Sequence, residues 1–242
     1  HRRRPRVAGA GDGDGISGRP NYVWNDQTQQ KELGRFGWKA GQPTLLQQTA
    51  AAYNNDMGIT SPYFPKENFL QQIQYDKLID DPEIDEATLK AATFYTQSLA
   101  VPKRRNAANP DVKKGKALFS KLKCRACHRP NFTTGQHPEF PFLSLQTIYP
   151  YTDLLLHDMG DGLADNRPDF EASGNEWRTP PLWGIGLTNI VGGHSNFLHD
   201  GRARNLEEAI MWHGGEAEKS KEAFGKLPKS ERESLIKFLE SL

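Results

Sequence analysis

Apolar residues recur at helical spacing in several separate parts of the chain, and few runs alternate between apolar and polar residues. Between the helical segments lie stretches rich in Gly and Pro, including the first stretch to about Trp24, which predict loops. The chain is therefore expected to be mainly α and loop-rich. Five helices are predicted: one from Thr44, one from about Asp85 to Leu99, one capped by Asp111 and ending against Cys124, one from Leu206 to His213, and one capped by Ser230.

The same spacing predicts which face of each helix is buried. Gly115 lies on the apolar face of its helix, and its missing side chain would let another helix cross closely; the C-terminal helix is the candidate. The predicted buried positions are Leu45, Gln48 and Ala52 in the first helix, Ala91, Ala92, Tyr95 and Leu99 in the second, Gly115, Leu118, Phe119 and Leu122 in the third, and Leu235, Phe238, Leu239 and Leu242 in the last.

Charge and hydropathy exclude two classes of partner. The 242 residues include 31 Lys and Arg against 30 Asp and Glu, so the net charge of +1 provides no long-range field for nucleic acid. The mean hydropathy is −0.73, and no stretch approaches the roughly 18 apolar residues of a membrane span. The sequence predicts neither nucleic-acid binding nor a membrane span.

The N-terminal residues offer weak candidates for a site. The chain begins with His1 and a basic tail, and no apolar segment of a signal peptide follows it. Asp12 and Asp14 resemble the start of a calcium loop, but Ile16 and Ser17 occupy positions where such a loop needs a ligand and a glycine. A turn is the favoured interpretation, with calcium as a weak alternative.

The two cysteines and the residue after them carry the strongest motif. Cys124, Cys127 and His128 form Cys-x-x-Cys-His, the attachment pattern of c-type haem, in which two thiols bind the vinyl groups and the imidazole binds iron. A thioredoxin-like dithiol would need a βαβ context, which this region lacks. A structural zinc could take both cysteines and two of His128, His137 and His157, although no second pair has compact spacing.

A haem iron would need a second axial ligand or an open position. The candidates are Met159, Met211, His157, His194, His199 and His213. At 100° per residue, His213 shares a helix face with Leu206 and Ala209, while Met211 points about 200° away from His213. Helical geometry therefore favours His213, which with Leu206 and Ala209 would cover one side of the haem.

Longer motifs add a resemblance to a known family. Together they resemble the bacterial di-haem oxidoreductase (thiol oxidoreductase-like) family, relatives of the di-haem cytochrome c peroxidases, from about Gly11 to the end. The motifs are GRFGWKA at 34–40, NNDMGITS at 54–61, YTDLLLHDMG at 151–160, WRTPPL at 177–182 and FLHDGR at 197–202.

One difference from the family pattern shapes the predicted domains. Family members carry two Cys-x-x-Cys-His sites, and the earlier one is missing from this sequence. The resemblance thus implies a partial N-terminal domain without its haem motif at residues 1–108 and a cytochrome c-like haem domain at residues 109–242. One covalent haem c is expected in this chain.

The resemblance also implies roles for individual residues. His128 matches the proximal ligand of the second haem, and His213 stands where the related peroxidases place a distal methionine. Arg178 would bind a haem propionate, and His199 with Asp200 would handle protons near iron or fix a turn. In the other half, Trp38 matches a tryptophan between the two haems, Gln48 and Asp56 match residues that handle peroxide protons, and Met57 is a possible ligand of the absent haem.

The predicted function is electron transfer through a haem bound by His128 and His213, in exchange with a redox partner protein or a second haem domain. Two alternatives stay open: a peroxidase-like enzyme, which needs an open iron position, and a zinc-binding module without haem. Since the family attaches haem outside the bacterial cytoplasm, the resemblance implies a periplasmic or exported protein. His157 and His194 are expected to be structural.

Overall fold

A computed structural model describes residues 15–68, 78 and 80–242. These residues form two compact units, one of residues 21–100 and one of residues 15–20 with 101–242. Helices provide most of the regular structure, joined by long loops and three two-stranded sheets. The described fold is therefore mixed and loop-rich. No helix in the described part of the chain combines the length and the apolar character that crossing a membrane requires.

The unit of residues 21–100 begins with an unpredicted hairpin. Strand β1 (Tyr22–Asn25) pairs antiparallel with strand β2 (Gln30–Leu33). Val23 is fully buried between exposed neighbours, and the Asn25 side chain accepts hydrogen bonds from the turn. The expectation of a loop to Trp24 was therefore wrong over these residues, because a four-residue strand is too short to show clear alternation.

Helix α1 (Leu45–Met57) starts as predicted, but the face that it buries is not the predicted one. The Thr44 hydroxyl accepts a hydrogen bond from the Gln47 amide, which caps the helix. The Gln47 side chain is buried because it bonds to Trp24 and Asp26 of the hairpin. The predicted inward positions Leu45, Gln48 and Ala52 are only half-buried; the buried residues are Gln47, Ala50, Ala51 and Asn54.

Helix α2 (Glu86–Ser98) is capped by Asp85, whose carboxylate accepts a 2.7 Å hydrogen bond from Thr88. It packs on α1 and buries Leu89 and Thr93. Tyr95 and Leu99 are exposed, so the predicted inward face was wrong at these positions.

In the second unit, two helices cross closely and form the centre of the core. Helix α3 (Pro110–Lys121) and helix α7 (Lys229–Glu240) meet at Gly115, where a Cβ atom would lie 2.0 Å from the carbonyl oxygen of Ser234. The predicted crossing is confirmed. The predicted apolar faces are also buried: Gly115, Leu118, Phe119 and Leu122 in and after α3, and Leu235, Phe238, Leu239 and Leu242 in and after α7.

The N-terminal caps of these two helices differ from the predicted ones. Asn109 caps α3, since its side chain accepts a hydrogen bond from the Asp111 amide. Asp111 instead forms a 2.6 Å ion pair with Lys237 of α7. Helix α7 starts after Pro228 with no side-chain cap, so Ser230 is not the cap.

Shorter elements complete this unit around the two crossing helices. Each sheet is an antiparallel pair. They are strands β3 (Phe132–Thr133), β4 (Thr147–Ile148), β5 (Leu156–Asp158) and β6 (Glu176–Arg178), and helices α4 (Thr188–Gly192), α5 (Leu206–Met211) and α6 (Glu218–Gly225).

Candidate haem-binding site

The Cys-x-x-Cys-His motif forms a tight turn at the end of α3. Lys123 takes a left-handed conformation (φ 63°), which reverses the chain after the helix, and Cys124–Ala126 then forms a 3-10 turn. The His128 amide donates a 3.0 Å hydrogen bond to the carbonyl of Cys124, so the imidazole and both thiols belong to one wound segment. The side chains of Cys124, Cys127 and His128 are therefore held together by this turn and not by a regular α-helix.

Both cysteines are free thiols and are partly buried. Burial raises the pKa of Cys124 to about 12 and also raises the pKa of Cys127. The two groups are therefore protonated near neutral pH. A protonated thiol can add across a carbon–carbon double bond, and its proton then ends on the neighbouring carbon.

His128 and His213 face each other in the same unit. Their ring centroids are 6.5 Å apart. The Nδ1 of His128 lies 3.0 Å from the carbonyl oxygen of Tyr151, and the Nδ1 of His213 lies 2.8 Å from that of Ala209. Because a carbonyl oxygen only accepts, both Nδ1 atoms carry the proton. Each ring therefore has its free lone pair on Nε2. This is the tautomer that can bind a metal through Nε2.

The environment keeps both imidazoles neutral. Burial and the neighbouring His213 lower the pKa of His128 to about 4. Burial also lowers the pKa of His213. Neutral imidazole is the metal-binding form, since a protonated ring has no free lone pair.

Helix α5 determines where His213 lies. The Asn205 side chain caps the helix by accepting a 2.8 Å hydrogen bond from Glu208. Leu206 and Ala209 are buried on one face. His213 follows directly after the helix and keeps the same direction through its hydrogen bond to Ala209. The shared face predicted for Leu206, Ala209 and His213 is confirmed.

The distance between the two rings fits one metal ion between them. Two metal–nitrogen bonds of ~2 Å place the nitrogens about 4 Å apart, and ~1.1 Å from each nitrogen to its ring centre brings the centroids to about 6.2 Å. The observed centroid distance is 6.5 Å. Phe119 of the core lies 6.2 Å from the His128 ring and supplies an apolar border. The residues present therefore fit an iron porphyrin.

A buried ionic network lies beside Cys127. His157 is on β5, and its Nε2 lies 2.9 Å from a carboxylate oxygen of Asp153, while its Nδ1 lies 2.7 Å from one of Glu216. Since carboxylates at neutral pH only accept, both ring nitrogens donate and His157 is an imidazolium. Burial alone would lower the pKa of His157, but its hydrogen bonds to Asp153 and to Cys127, 3.5 Å away, raise it to about 11.

The same network holds residues 17–19 against this unit. The Ser17 hydroxyl donates a 2.6 Å hydrogen bond to Glu216, and the backbones of Arg19 and Leu156 are paired. Arg19 also forms an ion pair with Glu176 of β6 at 2.5 Å. His157 therefore has a structural role, holding the residues around Cys127 in place.

Replacing His157 with Gln is expected to lower the free energy of unfolding by about 3–5 kcal/mol, because it leaves two buried carboxylates without their cation. The folded-state pKa lies above the unfolded value near 6.5. The stabilisation is thus complete below about pH 6.5 and declines as the pH rises towards about 11. Urea unfolding between pH 6 and 10 measures both effects.

His194→Gln is the matched control, because His194 is exposed. This variant should keep the wild-type stability and the wild-type pH dependence. An ionic role for His157 would be contradicted if His157→Gln were as stable as the wild type and its free energy of unfolding changed with pH in the same way.

Arg178 and His199 lie in the same unit as the motif. Arg178 ends β6, and burial lowers the pKa of its guanidinium. The His199 ring stacks on Trp177 at a centroid distance of 3.6 Å, and its Nε2 lies 3.7 Å from Asp200. Asp200 also binds Arg202 at 2.6 Å, which makes this cluster part of a turn.

The candidate residues of the other half belong to the unit of residues 21–100. Gln48 and Asp56 are both on α1, and eight residues of helix separate them by about 12 Å along the axis. The side-chain oxygen of Gln48 is buried with no hydrogen-bond partner in the described part of the chain. Asp56 and Met57 are exposed, and Trp38 has 58% of its surface exposed.

The described residues give little support to the zinc and calcium sites that the sequence left open as alternatives. Across residues 15–68, 78 and 80–242, no three His, Cys, Asp or Glu residues are arranged to hold a metal ion. His157, one of the predicted zinc ligands, uses both ring nitrogens for carboxylates. Asp12 and Asp14, the weak calcium candidates, lie outside the described residues.

Sequence reasoning missed the partners of His157. Asp153 stands four residues before it in the YTDLLLHDMG motif, but this spacing indicates a pair only on a helix, and the segment is loop and strand. Glu216 is 59 residues away along the chain, so only the tertiary structure reveals it.

Comparison with known proteins identifies the family of the chain. Residues 9–242 match the model of the family described as "Di-haem oxidoreductase, putative peroxidase". No curated protein and no solved structure matches the chain. The match covers almost the whole length and includes the Cys-x-x-Cys-His turn, in agreement with the resemblance of the sequence motifs. The chain therefore belongs to the di-haem oxidoreductase family.

Proposed function

We propose that this chain is a c-type haem protein that transfers single electrons through an iron bound by His128 and His213. The observation that carries the proposal is the pair of neutral imidazoles 6.5 Å apart, each held through Nδ1 so that Nε2 can bind a metal. Two strong-field imidazoles would leave no iron position for substrate, which favours electron transfer over chemistry at the metal.

Other residues of the same unit complete the proposed site. Cys124 and Cys127 would bind the two vinyl groups as thioethers, and the folded unit would keep a cytochrome c-like arrangement around them. Arg178, whose charge is partly buried, would donate hydrogen bonds to a haem propionate. Covalent attachment in this family implies maturation outside the cytoplasm, so we place the protein in the periplasm or among exported proteins.

A peroxidase-like role is the second candidate, and Gln48 supports it. Its buried side-chain oxygen has no partner among the described residues, although buried polar atoms are normally hydrogen-bonded. A substrate or a second haem could supply the missing donor. With Asp56 as an acid or base and Trp38 as an aromatic neighbour, this unit would act on peroxide only when a haem with an open position is present.

The proposed function is tested by spectroscopy of protein matured in a host that attaches c-type haem. A pyridine haemochrome spectrum should show one haem c per chain, in a six-coordinate low-spin state. His213→Ala should convert it to a high-spin spectrum, because one of the two axial ligands is lost. His194→Ala, a change at an exposed histidine, should leave the spectrum as in the wild type.

Two results would contradict this proposal. An unchanged spectrum of His213→Ala would remove His213 as a ligand. Reduction of peroxide by the wild-type chain alone would favour the peroxidase-like role.

A further inference from the structure

Positive charge is concentrated around the haem-attachment turn. Residues 112–138 contain seven Lys and Arg and no Asp or Glu. Because the whole chain has a net charge of only +1, the rest of it carries a net charge of −6. The charge of this protein is therefore strongly segregated, although its total is almost zero. The seven cations are Lys113, Lys114, Lys116, Lys121, Lys123, Arg125 and Arg129, and all are exposed.

Four of these residues surround the two cysteines, and we call them the basic turn: Lys121, Lys123, Arg125 and Arg129. They fall within nine residues of a tightly wound segment, in which the Ala126 amide bonds to Lys123 and the Arg129 amide bonds to Cys127. The segment has no room to spread these charges apart. A molecule that contacts these four exposed side chains therefore meets a positive field.

Exposed apolar residues lie in and beside the hairpin that follows the basic turn in the chain. The Arg129 guanidinium lies over the Phe132 ring, 4.7 Å from its centroid, which connects the turn to the hairpin of β3 and β4. Within and beside this hairpin three apolar residues are strongly exposed, and we call them the apolar hairpin: Phe142, Leu145 and Tyr149. Leu145 is 65% exposed in a left-handed conformation (φ 55°), which a bulky residue rarely adopts.

We propose that the basic turn and the apolar hairpin form the docking surface for an acidic one-electron redox protein. This inference rests on the proposed function. Complementary charge steers such a partner and speeds its encounter, while a small apolar area with Arg and aromatic residues allows brief contact without permanent association. With haem bound at the attachment turn, the partner would give up one electron and the haem would take it up, with no bond broken and no proton moved.

The apolar hairpin and the charge of the remaining chain favour a protein over a nucleic acid. The net charge of −6 outside the segment would repel an extended polyanion that follows the surface. A compact acidic protein would contact only the basic turn. The buried area of this contact is expected to be small, and its affinity is expected to fall strongly as the salt concentration rises.

The test compares two probe proteins, an acidic ferredoxin and a basic cytochrome c, with the full-length haem-loaded chain. Binding is measured by anisotropy of each fluorescently labelled probe, and electron transfer is measured by stopped flow at 10 and 200 mM salt. The ferredoxin is expected to bind and to react about tenfold or more faster at low salt than at high salt. The basic probe should bind at least about tenfold more weakly at low salt.

Charge reversal assigns the effect to the basic turn. Lys121→Glu/Arg125→Glu should weaken ferredoxin binding about tenfold at low salt and should favour the basic probe. Lys226→Glu/Lys229→Glu is the matched control, because it changes the net charge equally at two strongly exposed lysines outside the basic turn. The control should stay much closer to the wild type than Lys121→Glu/Arg125→Glu does, since it leaves all four residues of the basic turn unchanged.

The outcomes separate this inference from the proposed function. A colourless protein would overturn both. A protein with the expected haem spectrum that binds the two probes equally, or whose two double variants behave alike, would overturn only the docking surface. Binding of a single-stranded oligonucleotide as tightly as the ferredoxin would also overturn it, because the surface would then attract any polyanion.

Discussion

Cys124→Ser/Cys127→Ser protein is expected to carry no covalently attached haem. A serine hydroxyl is a far weaker nucleophile than a thiol and forms no thioether, and the sequence has no other cysteine that could replace the two. Gel electrophoresis under denaturing conditions followed by a haem stain should show a band for the wild type and none for the variant. Intact mass should differ by one haem beyond the effect of the substitutions.

Arg125→Ala is the matched control for this experiment. Arg125 lies between the two cysteines and is exposed, but its side chain takes no part in the attachment chemistry. It should keep the full haem content. Each single cysteine variant should keep one thioether, so its haem should resist extraction, with a shifted haemochrome band. Haem that stays covalently bound in the double variant would contradict the proposed attachment.

The second large effect is expected at the crossing of α3 and α7. Alanine normally stabilises a helix relative to glycine by about 1 kcal/mol. In Gly115→Ala the new Cβ would lie 2.0 Å from the Ser234 carbonyl oxygen and 2.7 Å from the Cβ of Phe238. The helices must then move apart, so we expect a loss of about 3 kcal/mol or more, beyond the usual cost of overpacking.

Thermal unfolding followed by circular dichroism measures this change. A loss of about 3 kcal/mol lowers the midpoint by roughly 6–12 °C for a unit of this size. Gly225→Ala is the control, because it makes the same substitution at the last residue of α6, where the Cβ would meet only Met211 at 3.9 Å. It should be neutral or slightly stabilising. If both variants gain stability, the close crossing is wrong.

Helix displacement should also reach the haem turn. Helix α3 leads directly into Lys123 and Cys124, so a shift of the helix moves the segment that carries His128. The Gly115→Ala variant is therefore expected to show a weakened low-spin spectrum at temperatures where Gly225→Ala is unaffected. Such a result would link the packing of the core to the position of His128, a proposed iron ligand.

Much of the site could be predicted from the sequence because its chemistry is local. The spacing of Cys124, Cys127 and His128 places three reactive groups within one turn, whatever surrounds them. His213 could be chosen over Met211 because a helix fixes the direction of residues relative to Leu206 and Ala209. The apolar stripes of α3 and α7 were equally visible, since both helices bury a continuous apolar face.

Predictions of buried faces were wrong where polar residues decide the packing. In α1 the buried side contains Gln47 and Asn54, because the amide of Gln47 satisfies backbone groups of the β1 hairpin. A rule that follows apolar residues cannot find such a face. In α2 the apolar Tyr95 and Leu99 are exposed among the described residues, since the buried face of this helix is formed by Leu89 and Thr93.

By itself, the sequence determined the spacing of Cys124, Cys127 and His128, the resemblance to the family, and the apolar faces that α3 and α7 bury, because each can be read from the order of residues along the chain. Only the tertiary structure decided that His157 is a cation between Asp153 and Glu216, and that His128 and His213 stand 6.5 Å apart. Those properties depend on distances between segments up to 85 residues apart, as for His128 and His213. Such distances are set by the packing of the whole unit and not by the order of residues in any one motif.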